Sequence, residues 1–263
     1  MPRVARQKSR SGIYHVMFRG INKQIIFHDD EDHMRFLGIL DRYKKTTKLK
    51  IHGWCLMNNH VHLLLAEGDE ELAITLKRIA VSYASFYNSK YEKIGHLFQD
   101  RFRSENVEDQ QYFLTVLRYI HRNPVKANLA DNLHDWEWSS YSEYLQKSKL
   151  PLNILDGDYA LGFFSEDKDL AVKRFREFNE QEACEDCLED QGKGRLSDRE
   201  ARLAISEIVG ETFNLKDLAR HEKNGIILKV SGIVGISQRQ ISKILGIANK
   251  TIKEVVHMGT VLT

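Results

Sequence analysis

The sequence predicts an α+β chain: a ferredoxin-like antiparallel sheet with helices packed on it, followed by a small all-α, helix-turn-helix-like domain. Three observations carry this prediction. Short apolar stretches of strand length alternate with longer stretches in which apolar residues recur at helical spacing. Their order over the first half is β-α-β-β-α-β-α, the split layout of an antiparallel sheet with crossover helices. Beyond about residue 180 the chain turns polar and acidic, and then helical periodicity resumes.

The elements follow in order. Residues 13–20, IYHVMFRG, alternate apolar and polar in part and predict a strand. Asp29 and Asp30 are N-cap candidates for EDHMRFLGILDRYKK, where Phe36, Leu37, Leu40 and Tyr43 recur at helical spacing. IHGWCLM and HVHLLLA flank Asn58-Asn59. Two apolar runs around two asparagines predict a tight hairpin, because Asn tolerates the positive φ such turns use. Both runs are almost continuously apolar, so both strands should be covered on at least one face. Residues 69–91 predict a helix with the stripe Leu72, Leu76, Ile79, Ala80, Tyr83 and Tyr87. FQDRFRSENVE contains a further strand, and residues 110–122 predict a helix closed by Asn123-Pro124. HDWEWSSYSEYL brings a dense aromatic group, and residues 166–180 predict a helix with Leu170, Phe175 and Phe178 inward. The expected organisation is an α+β domain at 1–146, a helical extension and acidic linker at 147–195, and a small helical domain at 196–263.

Composition narrows the function classes. With 42% hydrophobic residues the 263-residue chain can build a core and is not a disordered polymer. No apolar run approaches the roughly 20 residues of a membrane helix, and the basic N-terminus has no apolar segment behind it. Three cysteines are an odd set that argues against a disulfide framework and fits a reducing, cytoplasmic setting. The net charge of +2 hides an uneven distribution. Residues 1–146 carry 21 Lys/Arg against 18 Asp/Glu, residues 147–192 carry 6 against 12, and residues 193–263 carry 12 against 7. Two basic blocks around an acidic one are what two nucleic-acid-contacting modules joined by an inert segment would show.

His60-Val61-His62 is the first chemical motif. On a strand, i and i+2 share a face, so both imidazoles can converge on one divalent ion. Alone, the pair reads as readily as two half-buried strand histidines. Tyr119 and Asn123 stand at i and i+4 on a helix and also share a face. Asn can supply an amide oxygen to a metal, and Tyr a phenolate nucleophile if a cation or base assists it. The alternative is a core aromatic and a helix terminus. Arg19, Lys23, Arg101 and Arg103, interleaved with Phe18, Phe27, Phe98 and Phe102, are candidates for backbone contacts and base stacking, or else a solvated rim over core aromatics. Tyr112, Tyr141 and Tyr144 are rival nucleophiles with poorer surroundings. Cys184-x-x-Cys187 has the spacing of half a zinc site with no second pair.

These blocks are familiar together. MNNHVHLLL, RGINKQIIF, GHLFQDRF and RYIHRNPVKANL resemble the HUH single-tyrosine transposases of insertion sequences, most closely the REP-associated branch. The likeness covers roughly residues 12–145. It implies that His60, His62 and Asn123 bind a divalent metal, Mg²⁺ or Mn²⁺. It implies that Tyr119 cuts single-stranded or hairpin DNA through a 5′-phosphotyrosine. It leaves open a monomer or a homodimer, with the tyrosine acting in cis or in trans.

ISQRQISKILGIANKTIKEVV resembles a helix-turn-helix, with Ser237 as cap, Ile241, Ile244 and Leu245 inward, and Gly246 at the turn. It would present Asn249, Lys250, Thr251 and Lys253 to the major groove of a duplex. A second reading is a domesticated protein that binds hairpin or repeat DNA without cutting. A third is an RNA-binding ferredoxin-like protein, which would carry exposed aromatics where the histidines stand.

Overall fold

A computed structural model describes residues 8–181, 198–210, 220–233, 236, 238–248, 251, 252 and 255. The chain divides into two compact units between residues 188 and 189.

The first unit is a mixed α+β domain. Strand β1 (Ile13–Arg19) leads through a short 3-10 turn to α1 (Asp30–Thr47). The hairpin β2 (Lys50–Met57) and β3 (His60–Ala66) follows, then α2 (Leu72–Lys90), β4 (Arg103–Asn106) and α3 (Gln110–Lys126). The strands form a four-stranded sheet in the order β2-β3-β1-β4, with every neighbouring pair antiparallel. This is the expected ferredoxin-like layout. Asp29 caps α1 by accepting a hydrogen bond from the Asp32 amide, as its position before the apolar stripe predicts.

Both sheet faces are covered, which explains the almost continuously apolar β2 and β3. One face carries Val16, Phe18, Leu56, Val61 and Leu63 and packs with the α1 and α2 stripes. The other carries Cys55, Met57 and Leu64 and packs with Phe113, Val116, Leu117 and Ile120 of α3.

The hairpin forms, but not for the expected reason. Neither Asn58 nor Asn59 has a positive φ. Contacts from the loop after β1 hold the turn instead. The Asn58 carbonyl accepts from the Ile26 and Phe27 amides at 2.8 and 3.1 Å, and the Asn59 carbonyl accepts from the Gly20 amide at 2.9 Å. The Asn59 side chain donates to the Lys23 carbonyl at 3.1 Å.

Helix α3 also differs. It continues through Asn123 and Pro124 to Lys126. Proline deprives Ile120 of one partner, yet the chain beyond closes well: the Ala127 amide reaches the Asn123 carbonyl at 3.0 Å and the Leu129 amide the Pro124 carbonyl at 2.9 Å. Asn123 therefore stands inside a helix and not at its terminus.

The short helices α4 (Tyr141–Tyr144) and α5 (Asp158–Leu161) and helix α6 (Lys168–Glu180) pack over α3. The inward stripe of α6 is Ala171, Phe175 and Asn179; Leu170 is 38% exposed and Phe178 only half-buried, a shift of one position from the expected stripe. The polar Asn179 is buried because it completes a network. It donates to the Phe175 carbonyl at 2.8 Å, so its Oδ1 accepts from His121 Nδ1 at 3.0 Å. His121 Nε2 then accepts from the Ser140 hydroxyl at 2.9 Å, whose oxygen also accepts from the Trp54 amide at 2.9 Å.

The second unit contains α7 (Asp198–Val209), α8 (Arg220–Ser231) and α9 (Gln238–Leu245). Ile205, Ile227, Val230, Ile241, Ile252 and Val255 form its core. Ile241 is buried, while Ile244 and Leu245 are half-buried at its edge. Gly246 has φ +65°, the left-handed turn the sequence predicts there. Among the described residues no helix is long and apolar enough to cross a membrane.

Two outcomes are expected. Phe175→Ala, which empties the middle of the α3–α6 contact, should cost about 3–5 kcal/mol in urea unfolding. Burial lowers the His121 pKa from 6.5 to about 4, against a smaller opposing effect of Asn179. The unfolded chain therefore takes up this proton first. Stability from this group is complete above pH 6.5 and is lost as the pH falls toward about 4. The thermal midpoint should drop across that window, and less steeply in His121→Gln.

Candidate nucleic-acid-cleaving site

Strand alternation builds the site. On β1, His15, Met17 and Arg19 point to the α3 face. On β3 their ladder partners are Leu64, His62 and His60, and on β4 Glu105 and Arg103 lie opposite His15 and Met17. Three histidines, two arginines and a glutamate therefore share one end of one face.

The rings are close. His60 and His62 have centroids 4.9 Å apart at 84°, and His15 stacks on His62 at 5.3 Å and 30°. Tyr119 of α3 meets His62 edge-on at 5.5 Å and His15 at 5.8 Å. Asn123 lies one turn further along α3, with its amide nitrogen 3.5 Å from the Tyr119 carbonyl. The Lys126 ammonium stands 5.1 Å from the Tyr119 ring centroid. The structure thus brings His60, His62 and Tyr119 together and places Asn123 on the adjoining turn.

The imidazoles are held neutral. His60 is half-buried; burial first, then the Arg19 charge, lowers its pKa from 6.5 to about 4. His62 is pushed well below 6.5 by burial first and then by His60, His15 and Arg19. Burial alone brings His15 to about 3. Neutral imidazole is the form that ligates metals. His60 Nδ1 donates to the Asn59 side-chain oxygen at 2.6 Å, which leaves Nε2 with its lone pair. Among the described residues no group of three or more His, Cys, Asp or Glu is placed to hold a metal ion. Two imidazoles on one strand face, with the Asn123 amide on the adjoining turn of α3, are residue types that would suit a divalent cation otherwise ligated by water or phosphate oxygens.

Tyr119 is 4% exposed, so its ring is packed and not presented to solvent. Tyr141 and Tyr144 are buried among His121 and Phe175, and Tyr144 donates to the His52 carbonyl, in keeping with packing roles. Arg19 and Arg103 are half-buried side by side at the His60 end. Burial first, then the Arg103 charge, lowers the Arg19 pKa. Lys23 is exposed in the turn beside Asn59, with φ +62°, and Arg101 is exposed ahead of β4. The interleaved Phe18, Phe27, Phe98 and Phe102 are all buried in the α1–α2 core, so they are not stacking platforms. Strand alternation explains this for Phe18, which faces away from Arg19. In the second unit Thr251 is exposed. Asn249, Lys250, Lys253, Cys184, Cys187 and Ser237 lie outside the described residues.

Sequence reasoning missed His15 and Glu105. The alternation that pairs His60 with His62 also puts His15 on the Arg19 face, but only the β1–β3 register sets it against His62.

Comparison with known proteins fits this geometry. Residues 8–123 match the family model described as IS200-like transposase. That span runs from ahead of β1 to Asn123 and contains every residue of the cluster. The chain belongs, through this first unit, to the HUH single-tyrosine transposase family. It is 28% identical over 99 residues to a Haemophilus influenzae protein assigned as a REP-associated tyrosine transposase, covering 33% of this chain and 56% of that one. It is 21% identical over 114 residues to the REP-associated tyrosine transposase of Escherichia coli, covering 43% of this chain and 66% of that one. The matches thus span less than two thirds of these relatives. Among solved structures, a REP-associated tyrosine transposase bound to a REP hairpin aligns at 16% identity with a TM-score of 0.47, over 59% of this chain and 94% of that one. A Deinococcus radiodurans protein assigned as a transposase aligns at 16% identity and 0.32, over 49% and 92%.

Gly53 sets how closely α3 of this transposase-family fold approaches the sheet. It follows a bulge in β2, and a Cβ there would stand 2.6 Å from Leu117 Cδ1. Gly53→Ala should lower stability by roughly 1–3 kcal/mol through overpacking, read as a lower urea midpoint at unchanged slope. Leu117→Ala in the same chain should relieve the clash, so the pair should fall short of the sum of the single losses.

Proposed function

We propose that the chain is a metal-dependent transposase that cleaves and rejoins single-stranded DNA through a 5′-phosphotyrosine on Tyr119. The observation that carries the reading is the packing of Tyr119 against His62, on a sheet face that also gathers His60, Arg19 and Arg103. Family membership of the first unit supports it.

In this reading His60, His62 and Asn123 hold a divalent cation, Mg²⁺ or Mn²⁺. Such a cation, when bound, supplies Lewis-acid polarisation of a phosphate. The remaining work belongs to the side chains. Arg19 and Arg103, on the same sheet face as the histidines, bring guanidinium groups that suit a phosphate. Lys23 and Arg101, at the same end of the sheet, extend the basic track for the strand. The Tyr119 oxygen attacks phosphorus, the bond from phosphorus to the 3′-oxygen breaks, and the departing oxygen ends as a 3′-hydroxyl. The phenol loses its proton in the same step, and the Lys126 ammonium favours negative charge building on the ring oxygen. Because Tyr119 is packed, substrate entry must open the α3 face. The product keeps its energy in the phosphotyrosine, so a second 3′-hydroxyl can reverse the step without ATP.

Tyr119 lies beside His62 of its own chain, which supports a site assembled in cis within a monomer. The second unit is read as an accessory duplex-binding module, with α9 and the Gly246 turn as part of a helix-turn-helix and the exposed Thr251 as a groove contact.

The buried Tyr119 favours one alternative, a domesticated protein that binds hairpin or repeat DNA without cutting it. One experiment separates the two. The protein is incubated with labelled single-stranded hairpin DNA and Mn²⁺, and covalent adduct is read on a denaturing gel. Adduct is expected with wild type, absent with Tyr119→Phe, and reduced at least about 100-fold by chelator or by His62→Ala. Binding without any adduct would establish the alternative. Adduct that persists in Tyr119→Phe would remove Tyr119 as nucleophile.

A further inference from the structure

Two buried polar atoms beside the site lack partners, and they belong to residues paired across one rung of the sheet. His15 is fully buried in β1, and its Nδ1 makes no hydrogen bond. Glu105 is its ladder partner on β4, and its Oε2 is buried and likewise makes none. Directly opposed residues of an antiparallel pair have Cβ atoms roughly 4.5–5.5 Å apart. An imidazole N–H and a carboxylate oxygen there are complementary, and a buried polar atom left without a partner is costly. The other nitrogen of His15 is used: Nε2 lies 3.1 Å from Nδ1 of His62.

The His15–His62 contact couples two proton positions, and a hydrogen bond closed between His15 Nδ1 and its ladder partner Glu105 would extend the coupling to the carboxylate. A neutral imidazole donates from one nitrogen and accepts at the other. If His15 carries its proton on Nδ1, it donates toward the Glu105 carboxylate. Its Nε2 must then accept from His62 Nδ1–H, and His62 Nε2 is left as a bare lone pair. In the opposite tautomer, a bare Nδ1 of His15 would face the carboxylate, acceptor against acceptor. His62 would then carry its proton on Nε2, where no metal can bind. The glutamate opposes that second arrangement.

We propose that Glu105 and His15 are positioning residues that lock His62 in its Nδ1–H tautomer, so that Nε2 is kept free for a metal. Neither touches substrate. Each acts through the ring of His62, and the rigidity of the β1–β3–β4 ladder holds the three groups in line. The inference deepens the proposed metal role of His62 and rests on it for its consequence, but the tautomer itself is a property of the metal-free protein.

The test has two readouts on the full-length chain. Long-range ¹H–¹⁵N spectra of ¹⁵N-histidine-labelled, metal-free protein report which nitrogen of each ring is protonated, with His62→Gln giving the assignment. Wild type should show His62 as the Nδ1–H form. Glu105→Gln preserves size and offers an amide donor to His15 Nδ1, so it should convert His62 in large part to the Nε2–H form; Glu105→Asp should retain the Nδ1–H form. Titration with Mn²⁺ in a calorimeter should show affinity lowered roughly 10–100-fold in Glu105→Gln, with recovery in Glu105→Asp. Circular dichroism melts check that each variant folds, and His15→Gln replaces Glu105→Gln if the latter does not. With the relay ring removed and a carboxamide beside His62 Nδ1, it should shift His62 in part to the Nε2–H form. A wild-type His62 in the Nε2–H form, or a tautomer unmoved by both substitutions, overturns the proposal. If wild type binds no Mn²⁺ while the tautomer responds as expected, the metal role fails and the relay stands.

Discussion

The antiparallel register of β1 against β3 is the constraint on which the rest depends. Arg19 lies opposite His60 and Met17 opposite His62. Because side chains alternate along a strand, a slip of one residue would send both histidines into the α1–α2 core and bring Val61 to the other face. Two features hold the register. The apolar residues of β3 are buried on both sides, so neither face tolerates exchange. The loop after β1 also closes on the hairpin, with the Gly20, Ile26 and Phe27 amides donating to the carbonyls of Asn58 and Asn59. The turn that ends β2 and begins β3 is thereby fixed by the segment that ends β1.

That sheet face gathers polar groups and then withdraws them from water, and the balance of those two effects gives the site its character. Each buried imidazole would be costly as a cation, so burial holds His15, His62 and His121 neutral. Neutral rings still need hydrogen-bond partners. His121 finds two, in Asn179 and Ser140, and behaves as a structural residue. His15 finds one and stands against a glutamate that has an unused oxygen. The contrast between a satisfied and an incompletely satisfied buried histidine distinguishes scaffold from site more sharply than burial alone.

Helix α3 joins the two. Its inner face supplies apolar packing from Phe113 to Ile120, and the same periodicity sets Tyr119 on the histidines. The close approach at Gly53 and the layer of α6 on the outer side clamp the helix. The segment after the first 146 residues is thus part of what positions Tyr119, although it brings no chemistry of its own.

The sequence alone determined the element order, the antiparallel α+β class and the sharing of one face by His60 and His62, because hydrophobic periodicity and strand alternation are local properties. Pairing Tyr119 with Asn123 on one helix face was local too. The resemblance of four motifs pointed to the family that the comparison of residues 8–123 supports. Other matters were settled only by tertiary structure. The Asn58-Asn59 turn needed no positive φ once the neighbouring loop held its carbonyls, and α3 ran past Pro124 because the following turn closed its bonds. Phe18, Phe27, Phe98 and Phe102, interleaved with arginines in the sequence, went to the core. The α6 stripe moved by one residue because Asn179 was needed to satisfy His121. His15 and Glu105 came to light only through the pairing of three strands, since they are 90 residues apart and no local pattern couples two polar groups across a ladder. The histidine pair was written in the sequence; what stands behind it was decided by which strands lie side by side.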